Sequence, residues 1–282
     1  MLKTLGILFL GFLKEILTAT LFIEQIIRCL NYLRVLIGMF RAIISLILWP
    51  LWFAYLLVIF PIFLVYTIVV NKQYFHYFLS PMSYLFCLLG GQLVKKTGLT
   101  PDPEGGPYLY LINHQSLFDH FALGKYMNHY VTAVAKQEHL SYPLWGQVAR
   151  SYGIVPINRA NIKKALSSLK VVEKAIINEK TSFLIAPEGT RSKDGKLGIF
   201  KKGAFHIAKN TGVKIIPVII DGAYKAKNVG DWRLTPGVIN IHFADIIDQE
   251  LYKDMTVEEL RDYTIDQYKT ILDSLCNEYF KF

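Results

Sequence analysis

The chain has 282 residues, is 52% hydrophobic and carries a net charge of +9, from 31 Lys and Arg against 22 Asp and Glu. That length suits one large core or two small ones, and the basic residues are scattered, which argues against a nucleic-acid stripe and for an anionic membrane surface. The three cysteines, Cys29, Cys87 and Cys276, are odd in number and widely spaced, so they form neither a disulfide framework nor a zinc pattern.

The chain begins apolar, from Leu5 to Leu13, with Lys14-Glu15 following. Thr18-Ala19-Thr20 is a poor cleavage site and apolar character continues past it, so a cleaved signal peptide is not expected. Residues 1–40 read as one or two interfacial helices with Lys14, Arg28, Arg34 and Arg41 at headgroup level. Residues 42–70 then contain no charged residue and no histidine. The run is long for one crossing of ~20 residues and short for two. Pro50 and Pro61 fall inside it, where proline kinks or breaks a helix. Basic residues flank it on both sides, Arg41 before and Lys72, Lys95 and Lys96 after, which keeps both flanks cytoplasmic. A re-entrant hairpin satisfies length, prolines and charge together, with a tilted transmembrane span as the alternative. Residues 1–94 are therefore expected to be a membrane-associated helical region, and residues 95–282 a second domain.

A loop rich in proline and glycine, Gly98 to Pro107, opens that domain. Strands are predicted at Tyr108–Ile112, Val131–Ala135, Gly153–Ile157, Thr181–Ala186, Val213–Ile220 and Gly237–Phe243. Helices are predicted at Asn161–Glu179, at Phe200–Asn210 with Gly212 as its stop, and from Thr256, where Glu259 completes a capping box. This alternation specifies an α/β fold: a mixed, mostly parallel sheet flanked by helices. In such sheets ligands gather at the carboxyl ends of strands.

Two motifs stand at such ends. In Asn113-His114-Gln115-Ser116-Leu117-Phe118-Asp119, the imidazole can act as a general base near neutral pH. If a turn brings Asp119 back to His114, the carboxylate fixes one ring nitrogen and leaves the other free to take a proton. A substrate hydroxyl would then stand where a serine protease has its serine. By spacing alone, the pair could equally be a structural His–Asp hydrogen bond. Ser116 reads more simply as a capping serine than as a nucleophile. His120, His129 and His139 beside Asp119 match no familiar ligand set, so no metal is expected. In Pro187-Glu188-Gly189-Thr190-Arg191, the arginine is a candidate phosphate clamp, as is Arg159 after the third strand. Lys201 and Lys202 add charge near a helix start. Glu188 either orients an acceptor hydroxyl or holds Arg191.

These segments, with Gly153-Ile154-Val155-Pro156-Ile157-Asn158-Arg159 and Ile215-Ile216-Pro217-Val218, occur in the order found in membrane-bound glycerolipid acyltransferases of the lysophosphatidic acid acyltransferase type, which the chain resembles across roughly residues 90–245. The resemblance implies that His114 is the base and Asp119 its partner. It further implies that Arg159 and Arg191 hold the acceptor phosphate, that Glu188, Gly189 and Thr190 shape that site with Lys201 near it, and that Pro217 borders the donor side. The implied reaction moves a fatty acyl group from acyl-CoA or acyl-acyl carrier protein to the hydroxyl of a lysophospholipid, most simply 1-acylglycerol 3-phosphate, giving phosphatidic acid. No cofactor or metal is implied. Partners are the bilayer, the lysophospholipid acceptor and the thioester donor, and the catalytic domain faces the cytoplasm. Glycerol 3-phosphate or lysophosphatidylglycerol as acceptor, a hydrolase, and a non-catalytic lipid-binding protein are the alternatives.

Overall fold

The computed structural model describes the backbone of residues 2–279 and the side chains of residues 20 and 22–275. The placement expected of Lys14 lies outside the described side chains, as does Cys276. In chain order the elements are α1 (Leu2–Val69), α2 (Phe75–Leu89), β1 (Gln92–Thr97), β2 (Tyr108–Ile112), α3 (Asp119–Gly124), β3 (Val131–Lys136), α4 (Trp145–Ser151) and β4 (Val155–Ile157). They continue with α5 (Ile162–Glu179), β5 (Ser182–Ile185), α6 (Gly203–Thr211), β6 (Lys214–Asp221), α7 (Ala223–Ala226), β7 (Gly237–Phe243), α8 (Gln249–Tyr252) and α9 (Val257–Tyr279).

The chain divides into two compact units, Met1–Ile47 and Leu48–Phe282. The first is helical, and its described apolar side chains, Phe22, Ile26, Leu30 and Leu33 among them, are exposed alongside Arg28 and Arg34. The stretch Phe22–Val69 is long and apolar enough to cross a membrane, with a mean hydropathy of 2.4. Its 48 residues are more than twice the ~20 that one crossing needs.

In the second unit the extent of α1 departs from what its prolines predict. Neither Pro50 nor Pro61 breaks α1, and the chain reverses later, between Val70 and Tyr74. Proline costs a helix about 3 kcal/mol through its missing donor and ring clash. Here the face carrying Trp52, Phe60 and Phe63 is buried at 5%, 8% and 3% exposure, and that packing outweighs the cost. Phe63 stacks on Phe78 with ring centroids 5.2 Å apart, Trp52 meets Phe86 at 4.2 Å, and the Tyr55 hydroxyl donates to the Met82 carbonyl at 2.8 Å. The hairpin is thus formed by the end of α1 with α2, and the opposite face of α1, with Leu57, Val58 and Val65, is exposed.

Seven strands form one sheet in the order β1-β7-β6-β2-β5-β3-β4. From β6 to β4 every pairing is parallel, whereas β7 runs antiparallel to β6 and pairs in parallel with β1. The carboxyl ends of β2 to β6 therefore share one edge. Residues of β2 alternate between two buried layers: Tyr108, Tyr110 and Ile112 join Trp52, Phe86 and Phe118, while Leu109 and Leu111 join Val172, Phe205 and Tyr268. β1 was not predicted. It is an edge strand with exposed Lys95 and Lys96, and only Leu93 and Val94 of its residues are apolar. The three predicted helices are all present: Asn161 caps α5, Gly212 ends α6 at φ +68°, and Thr256 and Glu259 close the capping box of α9.

Candidate active site

β2 carries the first motif to the shared edge. Beyond its end, the Asn113 side chain donates to the Ile220 carbonyl at 2.8 Å and accepts from the Ile220 N–H at 2.7 Å, fixing the strand end against β6. The chain then wraps around one carboxylate oxygen. Asp119 Oδ2 accepts from the N–H groups of Gln115 and Ser116 at 2.7 and 2.9 Å and lies 2.7 Å from His114 Nδ1. An oxygen already accepting two backbone donors requires Nδ1 to donate as well, so Nε2 of His114 is the acceptor nitrogen. Asp119 is wholly buried, and its Oδ1 has no partner. The His114 side chain keeps 17% exposure, enough to meet a substrate. The His120 ring stands edge-on to it, centroids 5.4 Å apart.

Glu188 follows β5 and grips the same histidine from behind. Its Oε1 accepts from the His114 N–H at 2.9 Å and its Oε2 from the Gly198 N–H at 3.1 Å. Burial pushes this carboxyl above its ordinary pKa, against the pull of the two backbone donors and of His114. Its oxygens both accept from backbone, so in this geometry Glu188 positions the site. Two glycines make the turn feasible. Gly189 has φ +73°, and a Cβ there would lie 2.9 Å from Lys201 Nζ; at Gly198 a Cβ would lie 2.5 Å from Glu188 Oε2. The Gly189 carbonyl accepts from Arg159 Nη1, and the Ser192 N–H donates to the His114 carbonyl at 2.7 Å. Thr190 is exposed and Arg191 partly buried on this edge.

Positive charge converges beside the imidazole. The His139 ring is held below its ordinary pKa by burial and then by Lys136, Arg159 and Arg191. Burial and then Arg191 likewise depress the Lys227 ammonium. His120 is pushed down to about 4, chiefly by lost hydration of the ring although the residue keeps an exposed side, and then by His114, with Arg191 and His139 adding to the effect. The structure thus gathers His114, Asp119, Glu188, Gly189, Arg159, Arg191 and Lys201 around one edge. Sequence reasoning passed over Lys136 and Lys227. Lys136 ends β3, the same strand-end placement that marked Arg159, so the signal was present. Lys227 lies in a loop, and nothing local marks it. Ser116 is no nucleophile here: it is fully buried and its hydroxyl donates to the Lys227 carbonyl at 2.8 Å. Among the described residues no group of three His, Cys, Asp or Glu could hold a metal ion.

The site is thus an imidazole backed by a buried carboxylate, beside several cations at the edge of a mixed α/β sheet. Residues 93–221 match the family described as Acyltransferase. Similar curated proteins carry the name 1-acyl-sn-glycerol-3-phosphate acyltransferase. The one from Cocos nucifera is 36% identical over 48% of this chain and 44% of its own length. The one from Limnanthes alba is 32% identical over 62% and 63%, and that from Salmonella typhimurium 32% over 55% and 62%. The chain thus spans less than two-thirds of each. The crystal structure of the 1-acyl-sn-glycerophosphate (LPA) acyltransferase PlsC from Thermotoga maritima superposes with a TM-score of 0.72 at 25% identity, covering 83% of this chain and 97% of that one.

Proposed function

We propose that the protein is a 1-acylglycerol-3-phosphate O-acyltransferase, and that His114 and Asp119 perform the chemistry. The observation that carries the reading is the His114–Asp119 pair at 2.7 Å, with the carboxylate excluded from water and the arginines on the same edge. With Nδ1 bonded to Asp119, Nε2 takes the proton of the acceptor hydroxyl as that oxygen attacks the thioester carbonyl. The tetrahedral intermediate collapses, the carbon–sulfur bond breaks, and the imidazolium returns its proton to the thiolate. Asp119 stabilises the transient imidazolium, and the general-base help of His114 is worth about 10²- to 10⁴-fold in rate. Arg159 and Arg191, with Lys136 and Lys201 nearby, hold the acceptor phosphate through charge-assisted hydrogen bonds. Glu188, Gly189 and Thr190 set the shape of that pocket. The names of the relatives support phosphatidic acid as product.

The donor is a thioester of CoA or of acyl carrier protein, and the residue set calls for no cofactor. The exposed apolar face of α1 supports a site at a bilayer, where acceptor and product both reside, and the basic flanks favour a cytoplasmic-facing site. The test is thiol release by the purified full chain, with CoA- and carrier-protein-linked donors crossed against 1-acylglycerol 3-phosphate, glycerol 3-phosphate and lysophosphatidylglycerol. Thiol release that depends on 1-acylglycerol 3-phosphate, and disappears in His114→Ala, is the expected result. Thiol release without any acceptor would instead indicate a hydrolase.

A further inference from the structure

The loop from Lys193 to Phe200 presents an aliphatic side chain to solvent from a rigid frame. Ile199 is 88% exposed, while its neighbour Phe200 is 1% exposed and anchors in the core. On its other side, Gly198 is held by Glu188, and the Lys201 N–H donates to the Pro187 carbonyl at 2.9 Å. Further back, Ser192 Oγ donates to the Lys196 carbonyl at 2.8 Å, and Gln115 Nε2 donates to the Gly195 carbonyl. So well-fixed a loop has no need to fold Ile199 inward. The same loop is tied to the helix that precedes its neighbouring loop: the hydroxyl of Tyr224 on α7 donates to the Lys193 carbonyl at 2.9 Å. That neighbouring loop, between α7 and β7, bears Val229 at 45% and Trp232 at 51% exposure. The Trp232 carbonyl in turn accepts from Trp49 Nε1 on α1 at 2.9 Å. Apolar tips therefore occur on both loops that border the active-site edge, the first bonded to α7 and the second to α1, with exposed Lys193 and Lys196 on the first loop and exposed Lys225 on α7. Aliphatic tips for the acyl layer, a tryptophan at the interface and lysines at headgroup level are what an anionic lipid surface selects.

We propose that this rim is a lipid-contact surface in its own right, with Ile199 inserted into the leaflet. Because Glu188 bonds both Gly198 and the His114 backbone, seating the loop on lipid also steadies the base. The inference rests on the proposed function only for the identity of the lipid substrate; the contact itself is independent of it.

A fluorophore sensitive to its surroundings, attached at Ile199→Cys in the full chain carrying Cys29→Ser and Cys276→Ser, reads the contact directly; Cys87 is wholly buried and does not label. In vesicles containing anionic lipid and nitroxide-labelled acyl chains, strong quenching at 199 is expected. None is expected at Ile177→Cys, which is exposed but sits on the carboxyl half of α5, away from the rim. Absent quenching at both positions overturns the proposal. So does an emission shift at 199 that occurs only on adding an acidic acyl carrier protein, because the face would then be a protein dock. This arm reads no activity, so it stands or fails separately from the reaction assigned above. In a second arm, Ile199→Glu is expected to lower kcat/KM about tenfold or more for acceptor in vesicles. For a water-soluble short-chain acceptor kcat/KM should be unchanged. Equal losses on both acceptors would show that Ile199 merely supports the loop, and would overturn the proposal.

Discussion

The hairpin of α1 with α2 and the carboxyl edge of the sheet are built on opposite principles. The hairpin is held by rings stacked on rings, Phe63 on Phe78 and Trp52 against Phe86, with few polar contacts to fix its register. The edge is held by polar groups that each satisfy a backbone partner: Asn113 on Ile220, Asp119 on Gln115 and Ser116, Glu188 on His114 and Gly198. Apolar packing accepts substitutes of similar volume. A buried carboxylate does not, because any replacement leaves donors without a partner. Stability should therefore be concentrated in the first region and activity in the second.

The largest expected effects lie at the edge. His114→Ala should lower turnover by about 10²- to 10⁴-fold or more, with circular dichroism and melting temperature nearly unchanged. Asp119→Asn should approach that loss by favouring the wrong tautomer. If Asp119→Asn retained full turnover, the pair would be structural and the contrast between the regions would fail. In the hairpin, Phe63→Ala should cost about 3–5 kcal/mol of stability in detergent by opening a cavity. Leu57→Ala, on the exposed face, should leave the melting temperature where it was. A matching loss of stability at both positions would show that the outer face of α1 is also packed.

Glu188→Gln sharpens the comparison, because it tests a positioning group inside the reactive edge. An amide in place of the carboxylate can accept only one of the two backbone donors. Losing one charge-assisted bond, about 1.5–3 kcal/mol, should lower kcat about 10- to 100-fold. The KM for acceptor should barely move. A large rise in KM with kcat preserved would instead make Glu188 a substrate ligand, the role the family resemblance implied for it.

What could be seen in the sequence follows the same division. Residues at strand ends were visible because a short apolar run followed by His114, Arg159 or Glu188 carries its own local signal. The turn that brings Asp119 to His114 could be posed for the same reason, since only the six residues from His114 to Asp119 close it. The elements that depend on tertiary packing were not. Pro50 and Pro61 look like helix breaks until Trp52, Phe60 and Phe63 are seen buried beneath α1. β1 is specified by its register with β7, Gln92 opposite Gly237, and not by its own pattern. Lys227 enters the cationic group only because Ser116 ties its carbonyl to the histidine loop.

The smallest expected effect lies at the opposite edge of the sheet and sets a baseline for pH. His129 packs against both Tyr108 and Tyr110, ring centroids 5.8 and 5.9 Å away, and bonds Asn128 Oδ1 at 2.8 Å. Burial, and secondarily His76, push its pKa from 6.5 down to about 4. Between those two values the folded protein binds fewer protons than the unfolded chain, so lowering the pH favours unfolding. The contribution is fully present above pH 6.5 and is lost progressively as pH falls toward 4. From pH 7 to 5 the loss should be about 1 kcal/mol after allowance for partial exposure. His129→Phe keeps a ring against the tyrosines and removes the titration, so its melting temperature should fall less over that interval than that of the unaltered protein. Other histidines titrate in both proteins, and the difference between the two curves isolates residue 129. Since His129 lies far from the catalytic edge in the topology, turnover of His129→Phe at neutral pH should be unaltered. A variant that tracked the parent curve would show that acid lability originates at the active-site edge, in His120 and His139, and would tie stability to the region assigned here to activity.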